Sequence, residues 1–171
     1  MDEIIRIPDE RIAVLIGTNG VTRKTIAKRT KIKINIDSSN GEVTLIGEGE
    51  NFFKARDVVH AIGRGFSPKR AFTLLEDNYL LKIVEIRDFT GKNRSAQEAK
   101  RGRVIGREGE ARREIEKKTG ALISVYGKTV AIIAKPDTIE EATDVVEMLL
   151  QGATHETMEH FLEEKHDRFE L

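Results

Sequence analysis

One pattern of residues occurs twice in this chain at a constant spacing. The first copy is Leu15-Ile16-Gly17-Thr18-Asn19-Gly20, followed by Ile26 and Thr30. The second is Val104-Ile105-Gly106-Arg107-Glu108-Gly109, followed by Ile115 and Thr119. Corresponding residues are 89 positions apart throughout. A single G-x-x-G says little, because glycine is routine where helices end. A repeated frame of aliphatics, glycines and threonine requires the same supersecondary unit twice. In a chain of 171 residues that leaves roughly 80 for each copy, near the lower end of comfortable stability for one core.

The rest of the chain follows the same duplication. Ile4, Ile5 and Ile7 predict a strand, and Asp9 is placed to cap a helix running to Ile16. The glycines break that helix, and a second runs from Val21 to Thr30 with Ile26 inward. Ile32, Ile34 and Ile36 alternate with Lys33 and Asn35, which is strand periodicity. Asn40-Gly41 suits a hairpin turn into a strand with Val43 and Leu45. Phe52, Ala55, Val58, Val59 and Ile62 share one side of a helix from Asn51 to Gly63. The second half predicts the same order: a strand from Tyr79 to Phe89, a helix to Ile105, a helix to Thr119, a hairpin about Gly127-Lys128, and a helix capped by Asp137 running to Leu150. Late in the repeat the spacing drops to 87 (Ala55 to Ala142, Val59 to Val146), because the second hairpin turn is two residues shorter. The domains expected are 1–66, a packed connecting segment 67–78, a second domain 79–152, and an unpaired acidic helix over 153–171.

The formal net charge is zero, but the charge is segregated. Between Arg11 and Ile36 lie seven basic residues and no acidic one; between Lys92 and Lys118 lie ten basic and five acidic. Both basic stretches carry a glycine motif, so the chain can present basic patches without being basic overall. From Asp137 onward eleven acidic residues face only Lys165 and Arg168. That end suits a protein-binding surface or an electrostatic cover and not a nucleic-acid site.

Other chemistries find little support. There is no cysteine, hence no disulfide and no thiolate metal site. His155, His160 and His166 lack regular ligand spacing, and no G-x-x-x-x-G-K-[ST] loop is present. Adjacent pairs such as Glu163-Glu164 point to different helix faces and suit solvation better than acid–base work. No run of 18 apolar residues exists and Met1-Asp2-Glu3 does not begin a signal peptide. The expectation is a cytoplasmic protein that is not an enzyme, with no cofactor, no metal and no membrane partner.

The element order with I-G-x-x-G between two helices resembles the eukaryotic-type (type I) KH domain, twice in tandem and over nearly the whole chain. The resemblance implies an α+β fold in which each module is β-α-α-β-β-α, a three-stranded antiparallel sheet with helices on one face. Family members usually carry an aliphatic residue three positions after the second glycine; here Arg23 and Arg112 stand there. That shared departure, with the junction from Ala61-Ile62 through Gly65-Phe66 and Leu74-Leu75 to Tyr79-Leu80 and Arg87-Asp88, is similar to the Krr and Dim/Pno branch, whose members assemble the small ribosomal subunit. The eukaryotic members have a degenerate first motif and a long N-terminal extension; this chain matches the archaeal form.

The resemblance implies single-stranded RNA gripped by its backbone at Gly17, Thr18, Asn19 and Gly20 and at Gly106, Arg107, Glu108 and Gly109. Glycines let phosphates approach the main chain, each loop opens a helix with its positive end outward, and Arg23, Lys24, Arg112 and Arg113 add charge nearby. By analogy the groove floor is Ile12, Ala13, Ile16 and Ile34 in the first module, and Gly102, Arg103, Ile105 and Ile123 in the second. The implied partner is small-subunit rRNA near its 3′ end, with a Nob-type PIN-domain endonuclease and a translation initiation factor subunit as protein partners. The alternative is a KH-fold interaction scaffold or a general translation or mRNA-binding factor.

Overall fold

The computed structural model describes residues 1–169, and side chains through Lys165. The chain forms two compact units that meet in sequence at Leu81 and Lys82. In the first, strand β1 (Asp2–Arg6) leads to helix α1 (Asp9–Ile16), and a 3-10 turn at Thr18–Gly20 passes the chain to α2 (Val21–Thr30). Strands β2 (Lys33–Asp37) and β3 (Glu42–Ile46) and helix α3 (Glu50–Gly63) follow. The antiparallel sheet has the order β1-β3-β2, with Ile5 opposite Val43 and Ile34 opposite Leu45. Strand β2 is thus an edge strand.

The period-two alternation of the strands and the helical spacing of the apolar residues bury one set of side chains. Ile5, Ile34, Val43 and Leu45 come from the sheet, Ile12 and Leu15 from α1, Ile26 from α2, and Phe52, Ala55, Val58, Val59 and Ile62 from α3. Each large aliphatic side chain so buried stabilises the fold by about 1.5–3 kcal/mol relative to exposure. Thr30 ends α2 by donating its hydroxyl to the Ile26 carbonyl and accepting from the Ile32 N–H, and Thr119 does the same with Ile115 and Ala121. The repeated threonine therefore closes a helix while turning the chain into an edge strand.

The connecting segment packs, as its apolar content predicts. Helix α4 (Pro68–Ala71) and a 3-10 turn at Phe72–Leu75 bury Ala71 and Leu74, and Asp77 pairs with Lys54 of α3 at 2.8 Å. By contact it belongs to the first unit.

The second unit repeats the first: β4 (Leu80–Glu85), α5 (Arg87–Thr90), α6 (Arg94–Ile105), a 3-10 turn at Arg107–Gly109, α7 (Glu110–Thr119), β5 (Leu122–Tyr126), β6 (Thr129–Ala134) and α8 (Pro136–Leu150). Its sheet order, β4-β6-β5, matches the first. The strand expected through Phe89 stops at Glu85. After Ile86 donates to the Lys128 carbonyl the chain coils into α5, with Phe89 N–H returning to the Ile86 carbonyl. Asp9 and Asp137 are not caps. Pro8 and Lys135 occupy the cap positions without side-chain bonds, and both aspartates sit in the first turn, where the helix dipole favours them. Helix α6 is capped instead by Asn93, whose side chain accepts from Ala96 N–H.

Helix α9 (His155–Phe169) has no counterpart in the first unit. It is an integral part of the second core: Met158 and Leu162 are buried with Val104, Ile115, Val146 and Leu150. The side chain of His166 lies outside the described residues.

Candidate nucleic-acid interface

The two glycine loops have the same backbone. Gly17 lies at φ 74°, ψ 172° and Gly106 at φ 73°, ψ 178°, a region open essentially to glycine alone. Asn19 (φ 54°, ψ 27°) and Glu108 (φ 55°, ψ 26°) are left-handed, as are Gly20 and Gly109. The first glycine is also required by space. A β-carbon on Gly17 would lie 2.8 Å from the Thr22 nitrogen, and one on Gly106 would lie 2.7 Å from the Ala111 nitrogen. At Gly20 and Gly109 the neighbours are the ends of flexible side chains, Lys24 and Arg113. The first glycine therefore seats the following helix against the loop, and the second leaves the outer surface of the loop low.

Each loop delivers the chain into a helix with no side-chain cap, α2 after Gly20 and α7 after Gly109. An uncapped helix start presents N–H donors and a partial positive charge, which suits an anion. Thr18, Asn19, Arg107 and Glu108 are exposed at the two tips. Lys24 reaches back to the Asn19 carbonyl at 3.2 Å, so its ammonium stands over the first loop.

Beside the first loop lies an open groove of about 300 Å³ lined by Ile16, Arg23, Ile34, Asn35 and Ile36. The structure thus brings together three of the residues singled out from the sequence, with an aliphatic floor, a cation and the edge strand β2. Ala13 is exposed on the same helix, whereas Ile12 is buried in the core and does not line the groove.

The second unit departs from this pattern. Arg112 is bound by Glu116 one turn along α7, at 2.7 Å, and the other Glu116 oxygen accepts the Ile123 N–H at 2.8 Å. Ile123 is buried, and Ile105 is half-buried. Arg103 is not a free floor residue. Its guanidinium donates to the Gly152 and Ala153 carbonyls, and its own carbonyl meets the His155 ring at 2.9 Å. Gly102 and Arg103 line a cavity of about 400 Å³ with Ala99, Gly106, Arg107, Thr154 and His155. The beginning of α9 thus stands beside the second loop.

Arg11, counted in the basic stretch, faces elsewhere. It donates to the Ile62 and Phe66 carbonyls at 2.8 and 2.7 Å, satisfying the chain just where α3 ends. Arg103 performs the same service after α8 from one turn further along its helix. Neither role follows from charge patterning. The Arg112–Glu116 pair was legible as an i, i+4 spacing, but the strand that Glu116 reaches was not.

Comparison with known proteins agrees with this geometry. Residues 80–167 match the profile of the second KH domain of Pno1, a eukaryotic-type (type I) KH domain, and residues 2–61 match the general KH domain. A KH domain-containing protein of Methanocaldococcus jannaschii is 45% identical over 99% of this chain and 78% of its own length. The chain belongs to the KH-domain family, in its Pno1/Dim2 branch.

Solved structures superpose closely on this chain. Dim2p from Pyrococcus horikoshii is 48% identical with a TM-score of 0.89, covering 96% of this chain and 99% of that one. The same protein in an a/eIF2alpha–aDim2p–rRNA complex gives 0.90 at 47% identity, over 96% and 93%. A protein of unknown function from Aeropyrum pernix gives 0.90 at 33%, over 99% and 95%. The RNA-binding protein pno1 of Dictyostelium discoideum is 27% identical over 87% of this chain and 65% of its own length. The α+β fold of two type I KH modules with an added C-terminal helix stands as the sequence implied, and the second KH profile extends into that helix. Among the described residues no helix is long and apolar enough to cross a membrane, and no three His, Asp or Glu side chains gather as metal ligands.

Proposed function

We propose that this KH protein binds single-stranded small-subunit rRNA near its 3′ end through both modules, as a non-enzymatic assembly factor in the cytoplasm. The observation that carries the reading is the pair of loops. Two G-x-x-G turns of identical backbone each present an uncapped helix start, and the first stands beside an aliphatic groove that ends on an edge strand. Such a surface grips a sugar–phosphate backbone and accepts unstacked bases. The solved complex of the Pyrococcus relative with rRNA supports the choice of RNA, and the same complex supports an initiation factor subunit as a protein partner. A PIN-domain nuclease partner rests on the family resemblance.

The test replaces Thr18 and Asn19 together by Asp, and Arg107 and Glu108 together by Asp. Each pair should weaken binding of a 3′-end rRNA oligonucleotide with little change in unfolding temperature, since Asp tolerates the left-handed position. Retention of parental affinity by both double variants would place the site elsewhere. Nanomolar binding of the initiation factor subunit that survives both would favour the scaffold reading.

A further inference from the structure

The two modules share a sequence frame, topology and loop conformation, yet one difference between them has two consequences. Glu116 of α7 corresponds to Ala27 of α2 at the repeat spacing. In the second module the Glu116 carboxylate neutralises Arg112 and also takes the N–H of Ile123. That N–H points away from β6, as alternate N–H groups of an edge strand do. In the first module Arg23 lines the open groove, and Ala27 offers it no carboxylate. Ile34 holds the register position of Ile123 on edge strand β2, opposite Leu45 as Ile123 is opposite Ile132. Its N–H likewise meets no carboxylate from α2.

The surroundings reinforce the contrast. Glu108 sits in the second loop, and Glu110, Glu114 and Glu159 line a cavity of about 210 Å³ with Arg107. The corresponding stretch of the first module, from Arg11 to Ile36, has no acidic residue.

We infer that Glu116 makes the two grooves unequal: it withdraws one guanidinium and one edge-strand donor from the second, so that the first groove carries the larger ionic share of RNA binding. This rests on the RNA-binding function proposed above. An Arg with no carboxylate partner is available to a phosphate, and an unclaimed edge N–H suits an acceptor on a base edge. A carboxylate already holding both removes these contacts and adds repulsion. Glu116 is thus a positioning and selectivity residue for the second groove.

The experiment measures binding of a single-stranded 3′-end rRNA oligonucleotide from 50 to 200 mM salt for the whole chain and two variants. Glu116→Gln keeps an oxygen for the Ile123 N–H but releases the Arg112 charge. One more phosphate contact steepens the logarithmic salt slope by about 0.7, so its loss of affinity across that range should be about 2.6-fold larger than the parent's. Ala27→Glu builds the carboxylate beside Arg23 and should flatten the slope by about 0.7. Thermal unfolding confirms that each variant is folded. Should Glu116→Gln fail to fold, Ala27→Glu, at a half-buried position of α2, carries the test alone. Unchanged slope in either folded variant overturns the inference while leaving RNA binding intact. Absence of RNA binding by the parent overturns the proposed function, and this inference with it.

Discussion

Gly17 lies so close under the start of α2 that a β-carbon on it would sit 2.8 Å from the Thr22 nitrogen. Its backbone also occupies a glycine-only region. Gly17→Ala should therefore destabilise the first module by about 2–4 kcal/mol, through strain and overpacking together. Gly20 has room for a β-carbon and only a left-handed φ to oppose it, so Gly20→Ala should cost about 1–2 kcal/mol. Urea unfolding of the two variants separates them, and equal losses would contradict the division of labour between the glycines.

The second loop carries Glu108 where the first carries Asn19, in the same left-handed conformation. Asparagine tolerates that region better than glutamate does. Glu108→Asn should stabilise the second module by about 0.5–1 kcal/mol and tighten RNA binding, because a negative charge leaves the loop tip. The unfolding midpoint and the oligonucleotide affinity should both rise.

Arg11 supports the fold and not the interface. Removing its two short bonds to the Ile62 and Phe66 carbonyls by Arg11→Ala should lower stability by about 2–3 kcal/mol, since bonds from a charged donor are stronger than neutral ones. RNA affinity below the unfolding temperature should stay within about twofold of the parent, with an unchanged salt slope. A shallower slope would show that Arg11 reaches phosphate after all.

His60 on α3 has its pKa lowered, chiefly by burial, with Glu3 raising it and Arg56 lowering it. A histidine whose folded pKa lies below its unfolded value of about 6.5 takes up its proton more readily when unfolded. Stability is then full above that value and falls as the pH drops through the window beneath it. Asp57, three residues before it on the same helix, has its pKa raised by burial, which acts in the opposite sense at pH values above the ordinary carboxylate value of about 3.8. Thermal unfolding should therefore show a midpoint falling from pH 7 to pH 5.5, and His60→Gln should flatten that fall.

The fold was legible because the repeat disclosed itself. Val21–Thr30 and Glu110–Thr119, or Lys33–Asp37 and Leu122–Tyr126, share one periodicity, so each half checks the other. The loops were legible too, since glycines at fixed offsets have a geometric meaning. What escaped were contacts that close through space. Arg11 and Arg112 look like equivalent surface cations in sequence, but one ends at the Ile62 and Phe66 carbonyls and the other at Glu116. Helix α9 appeared as an acidic appendage because its charges outnumber the apolar side chains that tie it to the core, among the described residues Met158, Leu162 and the partly buried Phe161.

That burial has a consequence for the order in which the protein becomes competent during synthesis. The first module closes its core with residues that precede Leu81, so it can fold while the rest of the chain is still being made. The second lacks part of its core until Leu162 has been translated. His155, which meets the Arg103 carbonyl beside the second loop, also arrives late. A nascent chain would thus display one finished groove well before the other, and an early RNA encounter would fall to the module with the uncompensated arginine.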